Sequence, residues 1–174
     1  IYNKKVDNIL KKLIDKNYVL INTNIINRIY KKFKYKKKER LGRDWHHDSR
    51  IVGNKKLEKG IFYLVIIMFN DFTKKNASTL YIPKSHTRKD QPKRKFNYKS
   101  KQLLGKAGTI AIFDAGLWHR AGKVSNSNRW SMYSYYGPWF IKPYYRFTDM
   151  LGLRFLQHLK KFKKKTKNNI LRLL

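Results

Sequence analysis

Cysteine is absent from the 174 residues, which excludes disulfides and thiolate metal sites and fits a reducing, cytoplasmic setting. No stretch is long enough to span a bilayer. The most apolar run, Ile61 to Phe69, is about half the ~20 residues a membrane helix requires, and its β-branched and aromatic content reads as a buried strand. No charged-then-apolar leader is visible at the start, where the chain opens on Ile1 rather than Met; a fragment and a processed chain both stay open. Internal repeats and recognised nucleic-acid motifs are missing too. Acidic residues are scarce, 10 against 42 Lys+Arg, for a formal charge of +32. A field of that size attracts polyanions. The lysines are spread everywhere rather than along one motif, however, and Asn and Ile are abundant with them. Compositional bias explains that pattern more simply than a binding stripe does, so no specific nucleic-acid partner is predicted.

The length suits one domain over residues 1–174. At the start, Ile1, Val6, Ile9, Leu10, Leu13 and Ile14 recur near helical spacing with lysines between them, an amphipathic helix over 1–14. Tyr18–Ile21 is a short strand, Ile25–Phe33 a further helical turn or two, and Lys31–Arg40 a solvated basic run. Strands follow: His46–Ile51, a turn at Gly53-Asn54, then Ile61–Asn70, Ser78–Ile82, Gly108–Phe113, Leu117–Arg120 and Trp130–Tyr136, with a turn at Ser125–Asn128. Between the third and fourth of these strands, Lys84–Gly105 is polar and basic, the length and composition of a mobile binding loop or lid. After Pro143 the period changes. Met150, Leu151, Phe155, Leu156, Leu159 and Phe162 predict a helix capped by Thr148 or Asp149, within a basic helical extension over 144–174. That helix is expected to pack on its own domain, with peripheral contact to an anionic membrane as the other option. The pattern predicts a mainly β (α+β) domain, a sandwich or jelly roll with peripheral helices.

One constellation carries chemistry. His46 and Asp48 are two residues apart, so on an extended strand their side chains share a face. An imidazole and a carboxylate so placed are two of the three ligands of a facial 2-His-1-carboxylate iron site, and His119 is the natural third. His-x-Asp alone is weak, but the order strengthens it. Arg129 lies ten residues beyond that histidine and Ser131 two beyond the arginine. On a strand those two share a face, and a guanidinium fork beside a hydroxyl suits a carboxylate.

Four segments together resemble the phytanoyl-CoA dioxygenase-like family of Fe(II)/2-oxoglutarate oxygenases. Trp45-His46-His47-Asp48 is similar to the family's Trp-His-x-Asp. The stretch from Asn70-Asp71 through Asn76-Ala77-Ser78-Thr79-Leu80 to Ile82-Pro83-Lys84-Ser85-His86 resembles its loop-and-turn motif, with Ala77 and Lys84 where the family has glycines. Gly108 to Phe113 with Leu117-Trp118-His119 resembles the strands leading to the distal histidine, and Asn126 to Arg129 its Asn-x-x-Arg. The likeness covers residues 45–140. It implies a double-stranded β-helix (jelly roll, cupin-like) with flanking N- and C-terminal helices. It further implies Fe(II) on His46, Asp48 and His119, and 2-oxoglutarate held by Arg129 with help from Ser131. The reaction implied consumes O2 and hydroxylates a small organic acid, acyl thioester or related metabolite, an anionic small molecule, with release of succinate and CO2. The segment before His46 is shorter than the family usually has. The competing reading is a basic binding protein for nucleic acid or anionic membrane, carrying a relict metal site.

Other residues are expected in supporting roles. His47 should face away from His46. His86 belongs to the turn, Trp118 to the core or pocket wall, and His158 to the basic helix. Asp114 is placed to hold the loop before His119, and Arg120 reads as surface.

Overall fold

Tyr63–Met68 is apolar at every position, and a strand of that kind must be covered on both faces. In the computed structural model it is strand β4, with helix α1 (Lys4–Leu13) on one side and the candidate site on the other. The chain continues through β1 (Val19–Arg28), β2 (Ile51–Val52), β3 (Lys55–Lys56), β4, β5 (Thr79–Tyr81), a 3-10 turn (Ser85–Thr87), β6 (Lys101–Gln102), β7 (Ile110–Asp114), β8 (His119–Ala121) and β9 (Arg129–Gly137). The structure describes residues 3–29, 44–49, 51–52, 55–56, 61–93, 95–123 and 127–144, with scattered positions between 149 and 161. The expected basic run Lys31–Arg40, the turn at Gly53-Asn54, Asn126 and most of the 144–174 extension lie outside the described residues.

The strands form antiparallel sheets. A four-stranded sheet has the order β1-β9-β4-β7, a three-stranded one β6-β5-β8, and β2 pairs with β3. Strand alternation sorts β4 cleanly. Leu64, Ile66 and Met68 face inward against Phe72, Tyr133, Leu103 and Phe113. Val65, Ile67 and Tyr63 face outward onto Leu10, Val6, Ile14 and Tyr18. Leu64, Ile66 and Met68 are each 0% exposed, and burial of such a side chain stabilises by roughly 1.5–3 kcal/mol. The fold is therefore mainly β with one described helix. No described helix is long and apolar enough to cross a membrane.

Helix α1 starts where Asn3 caps it, its side-chain oxygen accepting from the N–H groups of Lys5 and Val6 at 3.0 and 3.2 Å. Asp7 in the first turn and Lys11 and Lys12 in the last complement the helix dipole.

Two expectations are corrected. The helical turn predicted from Ile25 is instead the second half of β1, which pairs with β9 as far as Arg28↔Arg129. The isoleucines at 25, 26 and 29 fall near helical spacing, but the ladder to β9 decides. The stretch 84–105 is not an unanchored lid. Phe96 and Tyr98 pack near Trp45 and Trp118, with ring centroids 5.6 Å apart for Tyr98–Trp45 and 5.5 Å for Tyr98–Trp118, and Trp45 Nε1 donates to the Phe96 carbonyl at 3.0 Å. Its end, β6, then pairs with β5.

Candidate metal centre

Backbone pairing brings the first and last members of the constellation together. His46 and His119 form an antiparallel bridge, each N–H donating to the other's carbonyl at 3.0 and 2.8 Å. Asp48 is fixed two residues on, its N–H donating to the Ala115 carbonyl at 2.7 Å. As a result one ligand atom from each of His46, Asp48 and His119 lies within 4.8 Å of the others. His119 Nε2 is 3.2 Å from Asp48 Oδ2, and His46 Nε2 is 3.9 Å from Asp48 Oδ1.

Both imidazoles are aimed by the backbone. His46 Nδ1 lies 2.8 Å from the Asp44 carbonyl and His119 Nδ1 2.9 Å from that of Leu117. A carbonyl can only accept, so each Nδ1 carries the proton, and each Nε2 turns toward Asp48. Second-sphere bonds of this kind orient metal-binding histidines. Tyr135 adds another, its hydroxyl donating to Asp48 Oδ2 at 2.9 Å.

The electrostatics are those of a cation site. Burial favours the neutral form of Asp48, but the hydrogen bond and charge of His119, with His46 and Tyr135, outweigh it and hold the carboxyl below its usual range. Burial lowers the pKa of His46, and the neighbouring His119 lowers it further. For His119 burial also pulls downward, yet its bond to Asp48 wins and the pKa is raised. Tyr135 is raised, first by burial and then by the Asp48 charge, so it stays a hydrogen-bond donor. Two neutralisable imidazoles and an ionised carboxylate, each oriented, fit a divalent transition metal.

A second group sits along β9. Alternation puts Arg129, Ser131, Tyr133 and Tyr135 on its inner face. Arg129 is 1% exposed and Ser131 0%. The guanidinium bonds Tyr133 and lies 4.3 Å above the Phe72 ring, yet its Nε and Nη1, and Ser131 Oγ, have no hydrogen-bond partner among the described residues. Burial lowers the Arg129 pKa; Tyr133 opposes this and nearby Arg28 adds to it. Buried donors without acceptors are costly, and their number here fits a carboxylate. Arg28, Arg129, His46, Asp48 and His119 line one cavity of about 90 Å³.

The remaining expectations sort as follows. His47 turns away and bonds Gln91 at 2.7 Å. Trp118 is 0% exposed, between Tyr98 and the Arg88 guanidinium. Arg120 is half-buried rather than on the surface, its guanidinium 4.6 Å above the Trp45 ring. Asp114 holds the loop before His119, accepting from the Gly116 N–H at 2.6 Å and, through its carbonyl, from the Leu117 N–H at 3.0 Å. The 70–85 motif is a brace. Asn76 ties Thr73 to Asp71, and Ser85 Oγ accepts from the Trp118 N–H at 2.7 Å, one residue before the distal histidine. Sequence reasoning passed over Tyr135 and Arg28. The alternation of β9 from Arg129 would have flagged the first; the second was hidden by the false helix.

No curated protein matches the sequence. Solved structures share the fold. The crystal structure of EvdMO1 aligns with TM-score 0.59 and 13% identity over 79% of this chain and 31% of that one. HygX from Streptomyces hygroscopicus, with nickel, 2-oxoglutarate and hygromycin B bound, aligns with TM-score 0.61 and 11% identity over 82% and 65%. The apo form of ThoJ, a non-heme monooxygenase, aligns with TM-score 0.62 and 14% identity over 98% and 74%. The chain thus spans under two-thirds of the length of the first two. The model of the phytanoyl-CoA dioxygenase (PhyH) family matches residues 2–130, which is most of the sequence and includes His46, Asp48 and His119, so the chain belongs to that family.

Proposed function

We propose that the protein is a non-haem Fe(II)- and 2-oxoglutarate-dependent dioxygenase of small molecules, in which His46, Asp48 and His119 hold the metal and Arg129, with Ser131, holds the distal carboxylate of 2-oxoglutarate. The observation that carries this is the shared cavity. Metal donors and a buried guanidinium with unused N–H groups line the same space, and neither group explains the other. HygX, similar in fold, holds nickel and 2-oxoglutarate. In this reading the two sheets are the walls of a double-stranded β-helix over a single domain, 1–174, with 144–174 its basic helical extension.

Iron, when bound, supplies the oxidative chemistry that couples decarboxylation of 2-oxoglutarate to succinate and CO2 with hydroxylation of a substrate. The chain's residues do the rest. Arg129 and Ser131 fix the far end of the co-substrate and so set the reach of its keto-acid end toward the histidines. Tyr135 holds one Asp48 oxygen, which leaves the other free to face the metal. Phe72 lies under the Arg129 guanidinium and Phe113 against the His119 ring, an apolar backing in which a charged hydrogen bond gains strength. The polyanion-binding alternative draws on net charge alone.

Anaerobic titration with Fe(II) and 2-oxoglutarate tests the reading. A weak visible charge-transfer band is expected, lost in His119→Ala, with succinate released when oxygen is admitted. A protein that binds Fe(II) yet develops no band with 2-oxoglutarate rules it out.

A further inference from the structure

Each histidine of the candidate centre follows a tryptophan, as Trp45-His46 and Trp118-His119. The carbonyls that aim the two rings are those of Asp44, 2.8 Å from His46 Nδ1, and Leu117, 2.9 Å from His119 Nδ1. Each belongs to the peptide unit whose nitrogen is the tryptophan's. A peptide unit is planar, with the tryptophan Cα at one corner. Whatever fixes the tryptophan therefore fixes the carbonyl and, through it, the imidazole. Trp45 is 1% exposed and Trp118 0%. The second plane is gripped from its other side as well, where the Trp118 N–H donates to Ser85 Oγ at 2.7 Å.

One side chain touches both tryptophans. The Tyr98 ring stands nearly perpendicular to Trp45, with centroids 5.6 Å apart and planes at 89°, and meets Trp118 at 5.5 Å and 64°. These are the edge-to-face contacts that aromatic quadrupoles favour. The segment around Tyr98 holds the neighbours of the histidines at three more points. Trp45 Nε1 donates to the Phe96 carbonyl at 3.0 Å, His47 bonds Gln91 at 2.7 Å, and the Arg88 guanidinium lies 4.5 Å over Trp118. The bridge between His46 and His119 sets the spacing of the two backbones. Tyr98, in contact with the tryptophan before each histidine, sets their roll. Its hydroxyl is engaged elsewhere, accepting from the Lys93 N–H at 2.9 Å, so the ring makes the contacts.

We propose that Tyr98 is a positioning residue of the candidate metal centre: its ring, seated against the indoles of Trp45 and Trp118, fixes the two peptide planes that aim His46 and His119 and so the placement of their Nε2 atoms. The inference rests on the metal-binding part of the oxygenase reading and gives the 84–105 stretch a role in it.

Titration of the full metal-free chain with Co(II), whose visible d–d bands report coordination geometry, tests it beside thermal melts. Tyr98→Ala should bind Co(II) about 10–100-fold more weakly, the range for lost outer-sphere partners, and its bands should shift. Tyr98→Phe keeps the ring and should match wild type in bands and, within about twofold, in affinity. Tyr98→Leu fills much of the space without a ring edge for either indole. It should weaken Co(II) by about tenfold or more, and it carries the test where Tyr98→Ala does not fold. Asp7→Ala, on the helix-covered side of the sheet, controls for stability: it should melt lower and bind Co(II) as wild type does. Wild-type affinity in folded Tyr98→Ala or Tyr98→Leu would overturn the proposal. So would a Tyr98→Phe as weak as Tyr98→Ala, an equal loss of affinity in Asp7→Ala, or failure of both the alanine and leucine variants to fold, which would make Tyr98 a core residue. The wild-type titration separates the two failures. If wild type binds Co(II) and the Tyr98 variants match it, the positioning role fails alone. If wild type binds none, the metal centre fails and takes that role with it.

Discussion

The two faces of the four-stranded sheet obey opposite rules. On the outer face the buried carboxylate is fully bonded, Asp7, 3% exposed, accepting from the Tyr18 hydroxyl at 2.7 Å and from Lys11 Nζ at 2.8 Å, and Asn27 Oδ1 is the one buried polar atom of the sheet on that side with no partner among the described residues. On the inner face Arg129 Nε and Nη1, Ser131 Oγ and Asn22 Oδ1 are buried with no partner among the described residues. A sequence selected for stability alone would not leave that face so underbonded, since each buried unmatched group costs about 1–3 kcal/mol. The outer face holds the sheet together, and on the proposed reading the inner face is shaped for a metal and a co-substrate. Substitutions on the two faces should therefore fail differently.

The largest effect belongs to the proposed metal donors. His119→Ala should cut Fe(II) affinity by more than the roughly 10–100-fold typical of outer-sphere changes and abolish turnover, while thermal unfolding of the metal-free protein shifts little. Equilibrium dialysis with iron analysis, beside calorimetry, checks both. The sign with pH follows from the same residue. Asp48 raises the His119 pKa, so the Nε2 proton persists to higher pH than in a free histidine. A metal must displace it, so affinity should fall as pH falls through that pKa, by up to about tenfold per unit.

Arg129→Met sharpens the contrast, because function and stability should move in opposite directions. Loss of the guanidinium should weaken 2-oxoglutarate by about 100-fold, in line with a charged hydrogen-bonded pair worth roughly 2–5 kcal/mol. Without ligand, the variant should be more stable by about 1–3 kcal/mol, since a buried and poorly bonded charge has been replaced by a side chain of similar volume. Adding 2-oxoglutarate should raise the wild-type melting temperature and leave that of the variant unmoved. A variant less stable than wild type would mean that Arg129 is a structural residue.

How much of this was legible in the sequence also divides by face. The candidate donors His46, Asp48 and His119, which the fold brings within 4.8 Å of one another, and the candidate pair Arg129 and Ser131 could be named because each rests on short-range alternation plus an order of segments. Strands β4, β5, β7, β8 and β9 were visible for the same reason. What was hidden depends on long-range register. Asn22 and Asn24 interrupt the apolar run after Ile21, and the isoleucines after them look like a helix, until pairing with β9 makes the whole stretch one strand. The stretch 84–105 looks unanchored because two aromatics, Phe96 and Tyr98, carry its attachment, and composition averages them away. Tyr135 was one more step along an alternation already begun at Arg129.

On the outer face the expectation is stability without function. Asp7→Ala removes the carboxylate that accepts from the hydroxyl of Tyr18, which is 1% exposed and packs with Leu10 and Val65. A bond to a charged group is worth about 1.5–3 kcal/mol, so chemical denaturation should show a loss of about 2 kcal/mol. The metal and co-substrate titrations should match wild type at temperatures where the protein is folded. A loss of 2-oxoglutarate affinity in folded Asp7→Ala would break the separation of the two faces.

The smallest effect tests whether the site side carries strain as well as unmatched groups. Lys84 and Ala77 have φ of 64° and 59°, the left-handed region, and both stand where the family pattern has glycine. A side chain there costs roughly 1–2 kcal/mol through contact between Cβ and the backbone, and glycine relieves it while adding freedom to the unfolded chain. The balance for exposed Lys84→Gly is a gain of about 0.5–1 kcal/mol, or ~2–4 °C per kcal/mol in a chain of this size. Lys84 precedes Ser85, whose hydroxyl accepts from the Trp118 N–H beside His119, so the strain lies on the scaffold of the candidate metal centre and not on the helix-covered face. A lower melting temperature for Lys84→Gly would show that the lysine stabilises this turn by an interaction stronger than its backbone cost, and the inner side would then be underbonded but unstrained.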